Sequence, residues 1–85
     1  MIDVKAWYNE ETDEIKLHLT HNGETEEIIS KIRPNGSFRF SYHHPELDEP
    51  EQYTGLFKTK SRFYIFPSFG KGVISNKSIL IESEN

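Results

Sequence analysis

The chain of 85 residues contains no cysteine, a single tryptophan and few apolar residues. Without cysteine it has no disulfide, no thiolate metal site and no thiol nucleophile. Hydrophobic residues make up 34% of the chain, and no segment approaches the ~20 consecutive apolar residues of a membrane-spanning helix. The opening residues, MIDVKAWY, lack the basic leader and the apolar run of a signal peptide. We therefore expect a soluble, cytoplasmic protein with no membrane partner.

Sequence signatures of catalysis are missing as well. No serine lies in a G-x-S-x-G elbow, and the FGKGV stretch lacks the G-x-x-x-x-G-K-[ST] spacing of a phosphate-binding loop. Paired carboxylates such as Glu26-Glu27 fall in turns or at strand ends, where water prevents the tuning of their pKa values for acid–base chemistry. A chain of this length also has little room for a substrate pocket. The sequence predicts a protein that is not an enzyme, with no catalytic residue and no cofactor.

What the chain does have is an alternation of apolar and polar residues, which is the period of a β-strand. The alternation predicts seven strands, near residues 2–8, 14–20, 25–33, 37–43, 53–58, 62–66 and 73–81, the last split at Asn76-Lys77. We predict an all-β fold: a small antiparallel barrel or compact sandwich of about seven short strands, with a four-strand meander over residues 2–43. One domain spans residues 1–85, and within it residues 44–52 form an acidic loop with one helical turn.

Two turns set the register of the predicted meander. Asn22-Gly23 is the preferred sequence of a two-residue hairpin loop, which pairs His21 with Glu24. Residues 34–36, Pro-Asn-Gly, fit a three-residue loop with Gly36 in the left-handed position, which pairs Arg33 with Ser37. This register gathers one apolar face, which we predict to be the core: Val4, Ala6, Tyr8, Ile15, Leu17, Leu19, Ile28, Ile32, Phe38, Phe40 and Tyr42.

The same register predicts the composition of the opposite face. Its rows read Trp7–Lys16–Ile29–Ser41, then Lys5–His18–Glu27–His43, then Lys31–Arg39. Two histidines beside a carboxylate have the chemistry of a zinc site, but neighbours across a flat sheet project in parallel and do not converge on one ion. We interpret His18 and Glu27 as a surface pair and predict no metal site.

Charge is distributed unevenly along the chain. Residues 1–51 carry 12 acidic and 5 basic residues, whereas residues 52–85 carry 2 acidic and 5 basic ones. The stretch KTKSRFYIFPSFGKG has the composition of a groove for single-stranded nucleic acid, where cations follow phosphates and rings stack on bases. An ordinary strand pair with Phe63 and Ile65 in the core is the rival interpretation. The residues of this basic face, for a protein partner or a nucleic acid, are Trp7, Lys16, Arg39, Lys58, Lys60, Arg62, Tyr64 and Lys71.

The acidic residues favour a different function, the binding of a basic protein partner. Six of them form the predicted acidic surface, Glu10, Glu11, Asp13, Glu46, Asp48 and Glu49, with Glu51 next to the last three. Spaced carboxylates can occupy positions that phosphates would take. Small phage-encoded inhibitors, as a class of proteins, act in this way. Our leading hypothesis is thus a protein-binding module, an acidic inhibitor of a nucleic-acid-handling protein. Nucleic-acid binding is the alternative, and pairing of exposed strand edges into a dimer is a third hypothesis.

Overall fold

The computed structural model describes residues 2–59, 61–69, 72–74 and 77–82. These residues contain seven β-strands and no helix, as the alternation predicted. The strands are β1 (Asp3–Asn9), β2 (Glu14–His21), β3 (Glu24–Lys31), β4 (Ser37–Tyr42), β5 (Glu51–Thr59), β6 (Arg62–Phe69) and β7 (Lys77–Glu82). No helix able to span a membrane occurs in this part of the chain.

The strands form one sheet in the order β3-β2-β1-β7-β6-β5-β4, which curls into a nearly closed barrel. Successive strands run in opposite directions, and because seven is an odd number, β1 and β7 run in the same direction. Their pairing is therefore parallel, with Ala6 opposite Ile81 and Trp7 opposite Glu82. The predicted all-β barrel is confirmed, but its sheet is mixed and not wholly antiparallel.

The register of the first three strands follows the two predicted turns. His21 pairs with Glu24 around Asn22-Gly23, where both turn residues have positive φ, 50° and 80°. The Arg33 N–H donates to the Ser37 carbonyl at 2.9 Å, and Gly36 has a φ of 86°, as a three-residue loop requires. The expected apolar face is the core of the barrel, joined by Tyr53, Phe63, Ile65, Ile74 and Ile79.

The boundary between β3 and β4, called the seam below, is where the barrel stays incomplete. The two strands approach each other, and the Ser30 hydroxyl donates to the Arg39 carbonyl at 2.8 Å. Beyond the Arg33–Ser37 bond, however, no ladder joins them in the described residues, and β4 pairs with β5. The predicted meander is thus a continuous ladder over β1–β3 only. The expected Lys31–Arg39 pair belongs to no ladder in the described residues: Arg39 pairs with Thr54 on the other edge of β4, and the Lys31 ammonium donates to the Thr12 carbonyl.

The loop of residues 43–50 is shorter than predicted and has no helical turn. A single turn, in which the Leu47 N–H donates to the His44 carbonyl at 3.0 Å, begins it. The strand that follows starts at Glu51, whose side chain is buried against residues 72–74. Its carboxylate accepts hydrogen bonds from the Gly72 and Val73 amides and from the Tyr53 hydroxyl. The buried Glu51 carboxylate therefore links the start of β5 to the backbone of residues 72 and 73.

Candidate functional site

A cleft of about 440 Å³ opens where β3 and β4 diverge, at the end of the seam away from the Arg33–Ser37 bond. It is called the seam cleft here, and its lining consists of Leu19, His21, Glu24, Thr25, Glu26, Tyr42, His43 and Pro45. The wall of β3 carries two exposed carboxylates, Glu24 and Glu26, while Tyr42 of β4 is buried. The site therefore combines an acidic strand edge with an aromatic floor.

Glu26 of β3 and Tyr42 of β4 interact electrostatically across the seam cleft. Burial raises the pKa of Tyr42, and the negative charge of Glu26 raises the pKa further. Neither lysine nor arginine is present among the described residues that line the cleft. A cationic ligand would consequently meet carboxylates without a competing cation from these residues.

Three potential metal ligands meet beside the seam cleft, one from the end of β2 and two from the loop after β4. His21 ends β2, while His44 and Glu46 belong to the loop after β4. The Oε2 atom of Glu46 lies 4.0 Å from Nε2 of His21 and 3.8 Å from Nε2 of His44. The two imidazole rings are 4.5 Å apart between centroids and tilted by 55°. His44 is 6% exposed, whereas the Glu46 side chain is 78% exposed, so the carboxylate covers the two rings from the solvent side.

Hydrogen bonds assign different roles to the two histidines. The Glu46 N–H donates to Nδ1 of His44 at 3.0 Å, so the neutral His44 ring carries its proton on Nε2. The Asn22 side-chain amide donates to Nε2 of His21 at 3.3 Å. Nδ1 of His21 is buried without a hydrogen-bond partner. Because Nε2 accepts from Asn22, the proton of the neutral His21 ring lies on Nδ1, where it is left unpaired at a cost in free energy.

The predicted acidic surface is divided between the two ends of the barrel. Glu10 and Asp13 lie beside the Arg33–Gly36 turn, where they line a second depression of about 330 Å³. Glu46 lies at the seam cleft, and the length of β2 that separates the two ends is roughly 23 Å. Glu11 belongs to the first group, whereas Asp48 and Glu49 belong to the second. The six carboxylates therefore do not form one surface, and those of Glu24 and Glu26 join the second group instead.

Glu51 is the one acidic residue of the predicted loop that no partner can reach. It is 3% exposed, and its oxygens accept hydrogen bonds from Tyr53 at 2.6 Å and from Gly72 and Val73 at 3.0 Å each. Burial and the bond to Glu51 raise the pKa of Tyr53 to about 12. The expectation that Glu51 is a solvent-facing acid was wrong, because its carboxylate binds backbone N–H groups that would otherwise be unpaired.

The structure brings only some residues of the predicted basic face close to one another. Lys16 places its ammonium 5.1 Å from the Trp7 ring centroid, across the β1–β2 pair. Arg39 lies on β4, so β3 and the seam separate it from Lys16. Arg62 is exposed on β6 near Tyr64. Lys60 and Lys71 lie outside the described residues, as does the side chain of Lys58.

The outer surface of β5 and β6 carries more exposed apolar groups than expected. Leu56 pairs with Tyr64, and Thr54 pairs with Phe66. The Tyr64 and Phe66 rings lie 6.0 Å apart, and Phe66 is 41% exposed. Of the described rings in this stretch only Phe63 enters the core, together with the Ile65 side chain, as the rival interpretation of an ordinary strand pair required.

The two histidines that the sequence placed in one row, His18 and His43, separate in the fold. Nε2 of His18 donates to Oε2 of Glu27 at 2.9 Å, which confirms the surface pair, and the His18 ring lies edge-on to Trp7 at 4.6 Å. Nε2 of His43 instead donates to the Leu47 carbonyl at 2.8 Å. The cluster of His21, His44 and Glu46 was not predicted, although Glu46 was assigned to the acidic surface and a signal for the cluster existed. Continuing the Arg33–Ser37 register places Glu24 opposite Glu46, in the row that contains His21.

The fold and the site define a small seven-stranded β-barrel with an acidic cleft at its open seam. No protein-family model, curated protein or solved structure matches this chain.

Proposed function

We propose that the protein is a non-enzymatic binding module whose seam cleft takes an extended, basic segment of a partner protein. The observation that carries the proposal is the missing ladder between β3 and β4 beside the carboxylates of Glu24 and Glu26. An unpaired strand edge can accept a further strand through main-chain hydrogen bonds, and side chains next to the edge select the ligand. Here the selecting groups are acidic, so they favour lysine and arginine.

Each part of the cleft has a role in this binding mode. The outer edge of β3 supplies backbone donors and acceptors over Glu24–Ile29, and Glu24 and Glu26 supply negative charge at alternate positions. The buried Tyr42 provides an apolar floor on the other side. Basic extended segments also contact phosphates in nucleic-acid-handling proteins, so occupancy by this protein would compete with nucleic acid and inhibit such a partner.

The test is a titration of the full chain into a labelled peptide of about eight residues with alternating lysine and threonine. We expect a saturable rise in fluorescence anisotropy that weakens with added salt, because the attraction is between charges. The double variant Glu24→Gln/Glu26→Gln should lose about 5-fold to 30-fold in affinity, or about 1–2 kcal/mol. Its matched control, Glu10→Gln/Glu11→Gln, changes the net charge equally at the far end of the barrel and should bind as the original chain does.

A second peptide tests strand addition itself. Methylation of alternate backbone nitrogens removes the donors that a strand needs but leaves every side-chain charge in place. We expect the methylated peptide to bind much more weakly. Equal binding of both peptides, or an equal loss of affinity in the two double variants, would show that the charge attraction is not specific. The seam cleft would then not be the binding site.

One surface observation favours a second candidate function, the binding of single-stranded nucleic acid. The exposed Phe66 ring and the neighbouring Tyr64 ring lie on the outer sheet, with Arg62 on the same strand and Arg39 two strands away in the row of Phe66. Rings flanked by cations can stack on bases while the cations neutralise phosphates. Labelled single-stranded DNA and RNA should then bind at low salt, and Arg39→Glu/Arg62→Glu should abolish that signal. An unaffected signal, or none, would reject this function.

A further inference from the structure

We propose that His21, His44 and Glu46 form a binding site for a divalent transition-metal ion, with Zn²⁺ as the best match. Two imidazole nitrogens and one carboxylate oxygen are ligands that zinc prefers. The three candidate ligand atoms lie within 4.8 Å of one another. This proposal depends on side chains other than Glu24 and Glu26, so it is independent of the proposed peptide binding.

The spacing of the ligand atoms is close to that of an assembled site. Zinc bonds of about 2.0–2.1 Å in a tetrahedral site put neighbouring ligand atoms about 3.3 Å apart. The Glu46 oxygen lies 4.0 Å from the His21 nitrogen and 3.8 Å from the His44 nitrogen. Movements of less than 1 Å by the exposed Glu46 side chain would shorten both contacts to this distance, and the two ring nitrogens, which lie within 4.8 Å of each other, must also draw together.

The surroundings of the cluster supply the rest of the argument. His44 is buried and held by the Glu46 amide, and a metal ion at Nε2 of His21 would replace the hydrogen bond that this nitrogen accepts from Asn22. Three protein ligands leave a fourth position for water or for a side chain of a bound partner. Because the cluster lies next to the seam cleft, this fourth coordination position is accessible from solvent on the side where Glu46 is exposed.

Metal binding has a specific consequence for the loop after β4. His44 carries its ring proton on Nε2, because Nδ1 accepts the Glu46 N–H. A metal bound at Nε2 shifts that proton to Nδ1, where it faces the amide and opens the 3.0 Å contact. The Glu46 amide should therefore lose a hydrogen bond when the metal binds, which distinguishes coordination from loose attraction of a cation to carboxylates.

The first experiment is isothermal titration of Zn²⁺ into the full chain, with Co²⁺ as an optical probe of the coordination geometry. We expect one site per chain, visible absorption typical of tetrahedral Co²⁺, and displacement of Co²⁺ by Zn²⁺. Mg²⁺ should not compete, since it prefers oxygen ligands. In NMR spectra, the Glu46 amide and the two imidazoles should shift together. Absence of a saturable signal at millimolar Zn²⁺ would overturn the proposal.

Two variants locate the ion. Glu46→Gln removes an exposed carboxylate and keeps the backbone N–H that holds His44, so the fold should be retained. It should weaken Zn²⁺ binding about tenfold or more. The matched control is Glu27→Gln, which removes the carboxylate of the other histidine–glutamate pair and should leave binding unchanged. Binding that survives Glu46→Gln, or that falls in Glu27→Gln, would contradict the proposed site.

Discussion

The ring of Phe38 lies against the α-carbon of Gly55, its partner across the β4–β5 pair, and fills the space that a side chain at position 55 would need. The Phe38 ring is fully buried and contacts the rings of Phe40, Phe57 and Phe63. A ring packed on all sides cannot move away from an added methyl group without displacing its neighbours.

Gly55→Ala should therefore destabilise the protein by about 3 kcal/mol or more, through overpacking alone. The matched change Gly23→Ala has open space around it and costs only the strain of a positive φ, about 1–2 kcal/mol. Urea unfolding monitored by Trp7 fluorescence measures the free energy of unfolding of both variants. Adding Phe38→Leu should recover part of the loss in Gly55→Ala, and strict additivity of the two changes would refute the steric explanation.

A second prediction concerns the buried carboxylate of Glu51. Glu51→Gln replaces one acceptor oxygen by an NH₂ group that faces the donors of Tyr53, Gly72 or Val73. We expect a loss of about 2–4 kcal/mol in the free energy of unfolding, because a buried donor is left unpaired. The same change at the exposed Glu49 should have little effect. Similar urea midpoints for the two variants would show that Glu51 does not hold residues 72–74.

The raised pKa of Tyr53 makes a prediction about alkaline pH. Its folded value of about 12 lies above the usual 10.0, so folding favours the neutral hydroxyl. The stabilisation is complete below pH 10.0 and is lost as the pH rises towards 12. Urea midpoints should decline across that interval, and the decline should be smaller in Tyr53→Phe. An identical pH profile for the variant would assign the decline to other tyrosines.

The open seam predicts uneven amide exchange. Strand β2 is paired on both sides, whereas the outer edge of β3 forms no ladder over its first residues in the part of the chain described. Alternate amides of residues 24–29 should therefore exchange with deuterium much faster than those of residues 15–20. Mass spectrometry with fragmentation, or NMR, resolves the two sets. Equal protection of both sets would mean that the seam is closed in solution.

Local turn chemistry made the first half of the fold predictable. Asn22-Gly23 favours a two-residue loop, and a three-residue loop at 34–36 is the length that keeps the inward residues, among them Leu17 and Ile28, on one face. Turn chemistry and alternation do not determine which strands pair when they are distant in the sequence. Alternation does not specify which strand edge stays unpaired, so the seam and the β1–β7 pairing were not predictable from it.

The site was less predictable than the fold for a related reason. An acid-rich segment is usually solvated, and nothing within residues 44–52 distinguishes the buried Glu51 from its exposed neighbour Glu49. Its burial depends on the amides of Gly72 and Val73, which are about twenty residues away in the sequence. His21 and His44 are likewise brought together by barrel curvature, which adds convergence that a flat row of side chains lacks.

The parallel pairing of β1 with β7 has a practical consequence for attaching other proteins. Asp3 begins β1 at the end of the barrel that holds the seam cleft, whereas Glu82 ends β7 opposite Trp7, towards the other end. A fluorescent or affinity tag attached before β1 would start at the end of the barrel that holds the cleft, and one attached after β7 would start nearer the other end. A comparison of the two tagged proteins therefore tests how the position of a tag affects ligand access to the seam cleft, while every residue of the cleft stays unchanged.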